Sequence, residues 1–285
     1  MKEQIFYRTI EIDGLDIFFR ESGTAGRPVL LLLHGFPSSS HMYRDLIADL
    51  SDAYHIVAPD YPGFGQSSAP DVNQFAYTFD NLSAIIEQFI DRLQLRNINM
   101  YIQDYGGPVG LRIASRRPDL IRSLIIQNAN AYNEGLGQAL EPLLTYIRKP
   151  DAEHEQAARF FLTAEATKWL YLNGASDISR ISPDSYVTDQ YYLDRDGSDE
   201  IQLALFRDYG SNIASYEEWH KYFKAHQPDT LVLWGKNDSL FIAPGGDAYK
   251  KDLPNAEIIQ IDGGHFLLEE HHEFAAGLIK RFIQE

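Results

Sequence analysis

Asp104 stands at the end of an apolar segment, in a position where its carboxylate could act on a bound molecule. Residues 98–110 read I-N-M-Y-I-Q-D-Y-G-G-P-V-G. Gly106 and Gly107 follow the aspartate closely, and small residues let a chain turn sharply from a strand into a helix without a clash at Cβ. Such a turn would direct the Asp104 side chain into a cleft. A carboxylate is ionised at neutral pH, so it can attack an electrophilic carbon without first losing a proton to a base.

Asp238 and His265 are the candidates for the groups that would act with Asp104. They lie in W-G-K-N-D and G-G-H-F, two segments that each end a predicted strand. Hydrolysis of an ester formed on Asp104 needs a base with a pKa near 6.5, about the unperturbed value for histidine. Glu134 is an alternative to Asp238, but Asp238 comes directly after a strand and is favoured.

The segment H-G-F-P at residues 34–37 also follows a predicted strand. Backbone N–H groups at such a position can point into a cleft at the carboxyl end of the sheet. The N–H groups of Phe36 and Tyr105 are therefore the candidates for binding an oxyanion or a leaving group. For His34 we expect packing or hydrogen bonding near the turn rather than a reaction.

The elements that would position these residues are short, continuously apolar runs, which are typical of strands buried on both faces. The predicted strands are residues 29–33, 55–58, 98–102, 124–126, 231–234 and 258–261. Apolar residues at helical spacing between Leu82 and Leu93 predict an amphipathic helix, with Thr78 as its N-cap. Residues 5–12 and 15–19 flank a D-G turn and predict a hairpin. The fold class is therefore α/β, with a mostly parallel central sheet flanked by helices.

The alternation of strands and helices stops near Ala131 and resumes near Thr230. About a hundred residues without this alternation lie between these points, and they include several aromatic residues and polar connecting segments. We expect residues 131–228 to form an inserted, mostly helical cap, and residues 1–130 and 229–285 to form the core.

Composition excludes several classes of partner and site. Hydrophobic residues make up 44% of the 285 and the net charge is -16, which argues against sequence-independent binding of nucleic acid. The chain has no cysteine, so disulfides and thiolate ligands are excluded. His265, His271 and His272 lack the spacing of a helical zinc site, and no metal is expected.

No apolar run is long enough to span a bilayer and no secretory signal is evident, so a cytoplasmic protein is expected.

A fourth motif, D-Y-P-G-F-G-Q-S at residues 60–67, completes a pattern that resembles a known superfamily. Together with H-G-F-P and Q-D-Y-G-G it resembles the α/β-hydrolases, in the branch of epoxide hydrolases and haloalkane dehalogenases. The resemblance implies that Asp104 attacks carbon to form an alkyl-enzyme ester. It also implies that His265 activates the water that hydrolyses this ester, and that Asp238 orients and charges the histidine. We expect Asp60 to hold its own glycine-rich loop.

The partners implied by this resemblance are a small apolar electrophile and water, with no cofactor; the oligomeric state stays open. Haloalkane dehalogenases usually place Trp directly after the nucleophile, where this chain has Tyr105. Many of them place Asn after the H-G pair, where this chain has Phe36, or use a second Trp from the cap, for which Trp169 and Trp219 are available.

Epoxide hydrolases resembling this chain use cap tyrosines to protonate the departing alkoxide, and H-G-F-P fits them better. The cap offers nine tyrosines, among which the sequence does not choose: Tyr132, Tyr146, Tyr171, Tyr186, Tyr191, Tyr192, Tyr209, Tyr216 and Tyr222. We therefore predict an epoxide hydrolase, with haloalkane dehalogenase as the alternative. Hydrolysis of haloacids is disfavoured, because Tyr105 stands where a basic residue would bind their carboxylate. A non-catalytic ligand-binding protein of the same fold is a further alternative.

Overall fold

A computed structural model describes residues 2–284 and contains an eight-stranded sheet with the strand order β1-β2-β4-β3-β5-β6-β7-β8. The first two strands are antiparallel to their neighbours, and the other six run parallel to one another. The strands are β1 (Ile5–Ile12), β2 (Leu15–Ser22), β3 (Val29–Leu33), β4 (His55–Pro59), β5 (Ile98–Gln103), β6 (Ile121–Gln127), β7 (Asp229–Gly235) and β8 (Glu257–Ile261). The predicted fold class is confirmed.

Eleven α-helices lie within the described part of the chain. They are α1 (Arg44–Leu50), α2 (Phe79–Arg92), α3 (Gly106–Arg116), α4 (Glu141–Arg148), α5 (Ala152–Arg159), α6 (Ala164–Leu172), α7 (Pro183–Leu193), α8 (Ser198–Ala214), α9 (Tyr216–His226), α10 (Pro244–Ala248) and α11 (Leu268–Gln284). None of the helices in residues 2–284 has the length and apolarity that a membrane span requires.

The predicted hairpin is present and its turn is formed by Asp13 and Gly14. Both residues have positive φ, 51° and 78°, as the two central residues of a type I′ turn require. Strand β2 continues to Ser22, three residues beyond the predicted end, because it also pairs with β4. The polar residues of that extension gave no apolar run from which to predict it.

The parallel strands β3 to β7 are largely buried, as their continuous apolarity predicts, whereas four of the five residues of β8 at the edge of the sheet are only partly buried. All six residues of β5 are buried, and this strand lies between β3 and β6 near the middle of the sheet. Strand β6 begins at Ile121, three residues earlier than predicted. Its polar start is accommodated because the Ser123 hydroxyl donates a hydrogen bond of 2.7 Å to the Asn99 side chain on β5.

Helix α2 has the predicted N-cap and the predicted buried face. The Thr78 hydroxyl oxygen accepts a hydrogen bond from the Asn81 N–H at 3.2 Å, which satisfies one of the free donors in the first helical turn. Phe89 and Ile90 are fully buried near the far end of the helix. This face packs α2 against the sheet and α3.

Six helices, α4 to α9, occupy the interval between β6 and β7. Helix α8 packs against α4 and α5 and also contacts α2, and α9 contacts α3. The mostly helical character expected for this segment is therefore observed, while the domain boundaries at residues 131 and 228 stay a prediction.

Candidate active site

The backbone at Asp104 forms the sharp turn that joins β5 to α3. Asp104 has φ of 47°, a left-handed conformation that is uncommon for residues other than glycine and costs free energy. A Cβ atom on Gly106 would lie 2.0 Å from the Leu33 carbonyl oxygen, so only glycine fits there. The Gly107 N–H donates a hydrogen bond of 2.8 Å to the Asp104 carbonyl. The turn places the aspartate at the carboxyl end of the sheet.

The Asp104 carboxylate is buried and hydrogen-bonded to the backbone. The Phe36 N–H donates to Oδ2 at 2.6 Å. Burial raises the pKa of Asp104 to about 6, although the charge of His265 and the N–H groups of Phe36 and Tyr105 act in the opposite direction. The two N–H groups proposed from the sequence as an anion site therefore both act on this carboxylate.

His265 is buried and forms a hydrogen bond with Asp238. The distance from Nδ1 to Oδ2 is 2.7 Å, and a carboxylate can only accept, so Nδ1 carries a proton. Burial lowers the pKa of His265, but the charge of Asp238, the hydrogen bond to it and the charge of Asp104 outweigh burial, and the pKa is raised overall. The geometry leaves Nε2 as the nitrogen that exchanges a proton with a ligand.

Asp238 is itself held by three donors. Its Oδ1 accepts from the N–H groups of Leu240 at 2.8 Å and Phe241 at 3.1 Å, and its Oδ2 accepts from the Asn128 side-chain amide at 2.9 Å. These bonds fix the carboxylate so that it faces His265.

Asn128 is a site residue that the sequence analysis missed. It directly follows β6, as Asp104 directly follows β5, and polar residues at the carboxyl ends of parallel strands converge on one edge of a sheet. That position was the available signal. Glu134, the alternative to Asp238, is half exposed and forms an ion pair with Lys251, so the structure does not place it with His265.

A small, mostly apolar cavity of about 30 Å³ lies against Asp104 and His265. Its wall consists of aliphatic and aromatic side chains from the core and from the helices between β6 and β7. The lining residues are Phe36, Asp104, Tyr105, Leu140, Leu143, Phe161, Leu170, Phe206, Tyr209, Leu240, Phe241 and His265.

The cavity distinguishes among the tyrosines and tryptophans that the sequence left open. Of the nine tyrosines, Tyr209 lines it, and Tyr105 lines it from the core. Trp169 is partly exposed on α6 and Trp219 is buried against Tyr216; neither lines the cavity. Apart from the imidazole, no lining side chain carries an N–H donor.

The remaining motif residues have local contacts of their own. The ring of His34 stacks on Tyr61, and burial lowers the pKa of His34 to about 4, so this histidine is neutral. Asp60 accepts hydrogen bonds from the Ser40 and Gln66 N–H groups at 2.7 and 2.8 Å and thereby holds the loop that follows it. Within residues 2–284 no three potential metal ligands form a cluster.

Comparison with known proteins shows the family to which this chain is related. The family described as "alpha/beta hydrolase fold" matches residues 28–272. The uncharacterized hydrolase YNR064C of Saccharomyces cerevisiae is 39% identical, covering 93% of this chain and 92% of its own. A haloalkane dehalogenase of Bradyrhizobium diazoefficiens is 36% identical, with 96% of this chain and 92% of its own covered. Epoxide hydrolase 4 of Mus musculus is 26% identical, with 98% and 79% covered.

A solved structure has a similar arrangement over nearly the whole chain. The haloalkane dehalogenase DatA from Agrobacterium tumefaciens C58 superposes with a TM-score of 0.81 at 27% sequence identity, covering 98% of this chain and 96% of that one. The similarity extends over the helices between β6 and β7 as well as over the sheet.

Proposed function

Because the chain belongs to the α/β-hydrolase fold family, in the branch of the haloalkane dehalogenases and epoxide hydrolases, we propose that it hydrolyses a small apolar electrophile through an ester on Asp104, without a cofactor. One observation carries this proposal. Asp104 and His265 line the same apolar cavity, and His265 is hydrogen-bonded to Asp238 behind it. That arrangement supplies a nucleophile, a base and a group that orients the base.

Ester formation begins with the carboxylate oxygen that the Phe36 N–H does not bind. The Phe36 N–H binds Oδ2, so we assign the attack on the substrate carbon to Oδ1. A bond forms between Oδ1 and that carbon, and the bond from carbon to the leaving atom breaks with its electron pair on that atom. Oδ2 then becomes the carbonyl oxygen of the ester and stays beside the Phe36 N–H.

Ester hydrolysis uses His265 as the base. Nε2 takes a proton from water as the water oxygen bonds to Cγ of Asp104, and negative charge develops on Oδ2 beside the Phe36 N–H. The Tyr105 N–H also acts on this carboxyl group. The bond between Cγ and Oδ1 then breaks, and Oδ1 leaves with the substrate carbon and takes the proton from Nε2. The water oxygen remains in the regenerated carboxyl group. The second proton of the water leaves this group as the carboxylate re-forms, and it balances the charge of a released halide in solvent or returns to the phenolate that protonated an alkoxide. Loss of one such N–H donor typically costs about 100- to 1,000-fold in rate.

The two steps are coupled through charge. The Asp104 carboxylate contributes to the raised pKa of His265, and this contribution disappears once Asp104 is an uncharged ester. The pKa of His265 therefore falls when the ester forms. The histidine becomes a neutral base at the stage when a base is required.

The lining favours an epoxide as the electrophile. Opening an epoxide leaves an alkoxide that must be protonated, and the side chains of two tyrosines, Tyr105 and Tyr209, line the cavity. Burial raises the pKa of both tyrosines well above the usual value, so both hydroxyls stay protonated at neutral pH and can donate. The Tyr105 hydroxyl has no hydrogen-bond partner among the described residues. Because no Lys or Arg lines the cavity, a neutral substrate is favoured over a haloacid.

Hydrolysis of haloalkanes is the second candidate, and the comparisons favour it specifically. A haloalkane dehalogenase is 36% identical over nearly the whole chain, and the DatA structure is also a haloalkane dehalogenase. Phenolic hydroxyls can donate to a halide as well as to an alkoxide. The two candidates share Asp104, His265 and the ester, and differ in the leaving atom.

The experiment that tests the function is intact-mass spectrometry of the His265→Gln variant after exposure to matched epoxides and haloalkanes. A positioned general base contributes about 100- to 10,000-fold, so the ester should accumulate. An epoxide adds its whole mass, whereas a haloalkane adds only its alkyl group. Peptide mapping should place the adduct on Asp104, and the Asp104→Asn/His265→Gln double variant is the control. Absence of an adduct across both panels contradicts the ester mechanism.

A further inference from the structure

Gln103, the last residue of β5, contacts the nitrogen of His265 that acts as the base. Its side-chain amide nitrogen Nε2 lies 3.0 Å from His265 Nε2, and the residue is fully buried. The Q-D-Y-G-G motif contains this glutamine, but neither the nucleophile nor the anion site uses its side chain.

The direction of this hydrogen bond follows from the other side of the ring. Nδ1 of His265 carries a proton toward Asp238, so in the neutral imidazole Nε2 has only a lone pair. The NH₂ group of Gln103 therefore donates to Nε2. This bond selects the tautomer in which Nε2 is unprotonated. Because Nε2 has a single lone pair, the hydrolytic water takes the place of the amide when it donates its proton.

The other end of the amide is unsatisfied. The Gln103 Oε1 atom is buried and has no hydrogen-bond partner among the described residues, and it lies 2.3 Å from the position that a Cβ atom on Gly35 would occupy. An apolar side chain would fill this space without burying an unpaired oxygen, which is costly. An amide at this position therefore has a free-energy cost, which indicates that it has a function there.

Protonation of His265 offers a partner for the unsatisfied oxygen, because the imidazolium has an N–H at Nε2. Rotation of the Gln103 amide by half a turn exchanges its two ends and brings Oε1 to that N–H as an acceptor. We propose that Gln103 is a positioning residue for His265 Nε2, as a donor to the neutral ring until the hydrolytic water takes that place, and as an acceptor from the imidazolium afterwards. This inference rests on the proposed function, since it assigns Gln103 to the ester-hydrolysis step.

The charged groups that face His265 are few and define what a change at Gln103 would do. Asp238 faces Nδ1 and the Asp104 carboxylate lies on the cavity side, while Phe241 and Phe266 pack against the ring. In the ester Asp104 is uncharged, so Asp238 is then the charged group that acts on the imidazole. A carboxylate introduced at residue 103 would add a second negative charge, at Nε2.

The test compares two variants. Gln103→Glu keeps the shape of the side chain but replaces the NH₂ donor with a carboxylate oxygen, and Gln103→Met removes the donor and the acceptor of the amide. Ester formation and ester hydrolysis are measured separately by rapid quenching and intact mass, from pH 5 to 10. The matched control is Gln127→Met, because Gln127 is an equally buried glutamine at the end of β6 whose amide donates to the His265 backbone carbonyl rather than to its ring.

For Gln103→Met we expect ester hydrolysis to slow by about tenfold or more, with ester formation within about threefold of the wild type. For Gln103→Glu we expect the fall in the rate of ester hydrolysis at low pH, the acid limb of the pH profile, to begin about one pH unit higher or more. A carboxylate beside Nε2 favours the imidazolium, which cannot act as the base. Gln127→Met should leave the position of that limb unchanged. If Gln103→Met does not fold, the isosteric Gln103→Glu decides the question through its pH profile.

Wild-type hydrolysis rates and pH profiles in both Gln103 variants would overturn the inference. So would equal losses in both steps for all three variants, because that result indicates a purely structural role. Absence of the ester even in His265→Gln would instead remove the proposed function itself, and this outcome is distinguished because it does not depend on Gln103.

Discussion

The side-chain amide of Asn128 donates to the same oxygen of Asp238 that binds His265. The distance from Asn128 Nδ2 to Asp238 Oδ2 is 2.9 Å and that from His265 Nδ1 to the same oxygen is 2.7 Å. The other end of the amide accepts from the Gly235 N–H at 2.8 Å. One asparagine therefore joins the end of β6 to the end of β7 and fixes the carboxylate between them.

Replacing Asn128 should impair the base more than the nucleophile. In Asn128→Ala we expect ester hydrolysis to slow by about tenfold or more, because Asp238 loses a donor that holds it toward His265. Ester formation should change much less. Rapid-quench measurement of the two steps checks this, with Asn130→Ala as control, since Asn130 is also buried after β6 but its side chain makes no hydrogen bond among the described residues. Equal effects of the two substitutions would contradict the role given to Asn128.

The stability of the protein should depend on pH through Asp104. Its folded-state pKa of about 6 exceeds the value of about 3.9 expected in the unfolded chain, so the folded state binds the proton more tightly. The stability that this group contributes is present below pH 4 and is lost as pH rises through 6. At pH 8 the ionised Asp104 should destabilise the fold by about 3 kcal/mol.

Asp104→Asn should therefore be more stable than the wild type at pH 8, and this difference should shrink as the pH falls toward 4. Urea unfolding at both pH values measures it, with Asp16→Asn as a control, since Asp16 is exposed on the surface. A wild-type protein that is the more stable of the two at pH 8 would show that the carboxylate is not held at a raised pKa.

The hydroxyl groups of Tyr105 and Tyr209 should matter for epoxides. For Tyr209→Phe and Tyr105→Phe we expect ester formation from an epoxide to slow by about 10- to 100-fold, because each variant lacks a proton donor to the alkoxide. Tyr186→Phe is the control, as Tyr186 packs against Tyr171 outside the cavity. Single-turnover rates with an epoxide and with a haloalkane of equal length measure the effect. Unchanged rates in both variants would contradict protonation by these hydroxyls.

The size of the cavity should limit the substrates that enter it. Phe206 on α8 lines the cavity and packs edge-to-face on Phe36, with ring centroids 5.2 Å apart. Phe206→Ala should raise kcat/KM for bulky epoxides relative to small ones, at a stability cost of about 3–5 kcal/mol. Phe223→Ala removes a buried phenylalanine outside the cavity and should cost similar stability without changing this preference. If both variants change the preference alike, Phe206 does not determine it.

The strands and the residues that follow them could be predicted because their signals are local. Continuous apolar runs at 29–33 and 98–102 indicate buried parallel strands, and both are observed. The two glycines after Tyr105 indicate the turn that holds Asp104 at positive φ. Polar extensions such as those at the end of β2 and the start of β6 were not predicted, because pairing with neighbouring strands stabilises them and their own composition carries no strand signal.

The sequence by itself determined the fold class and the residues that end the strands, because periodicity, glycine positions and motif order are properties of short segments. Beyond Asp104, Asp238 and His265, which the resemblance already grouped, tertiary structure alone decided which polar groups meet. In the folded chain Asn128 contacts Asp238 and Gln103 contacts His265, although these pairs are 110 and 162 residues apart in sequence. Of the nine tyrosines, Tyr209 lines the cavity because of the face of α8 that packs over the core. Such contacts depend on how strands and helices pack in space, and no local pattern records them.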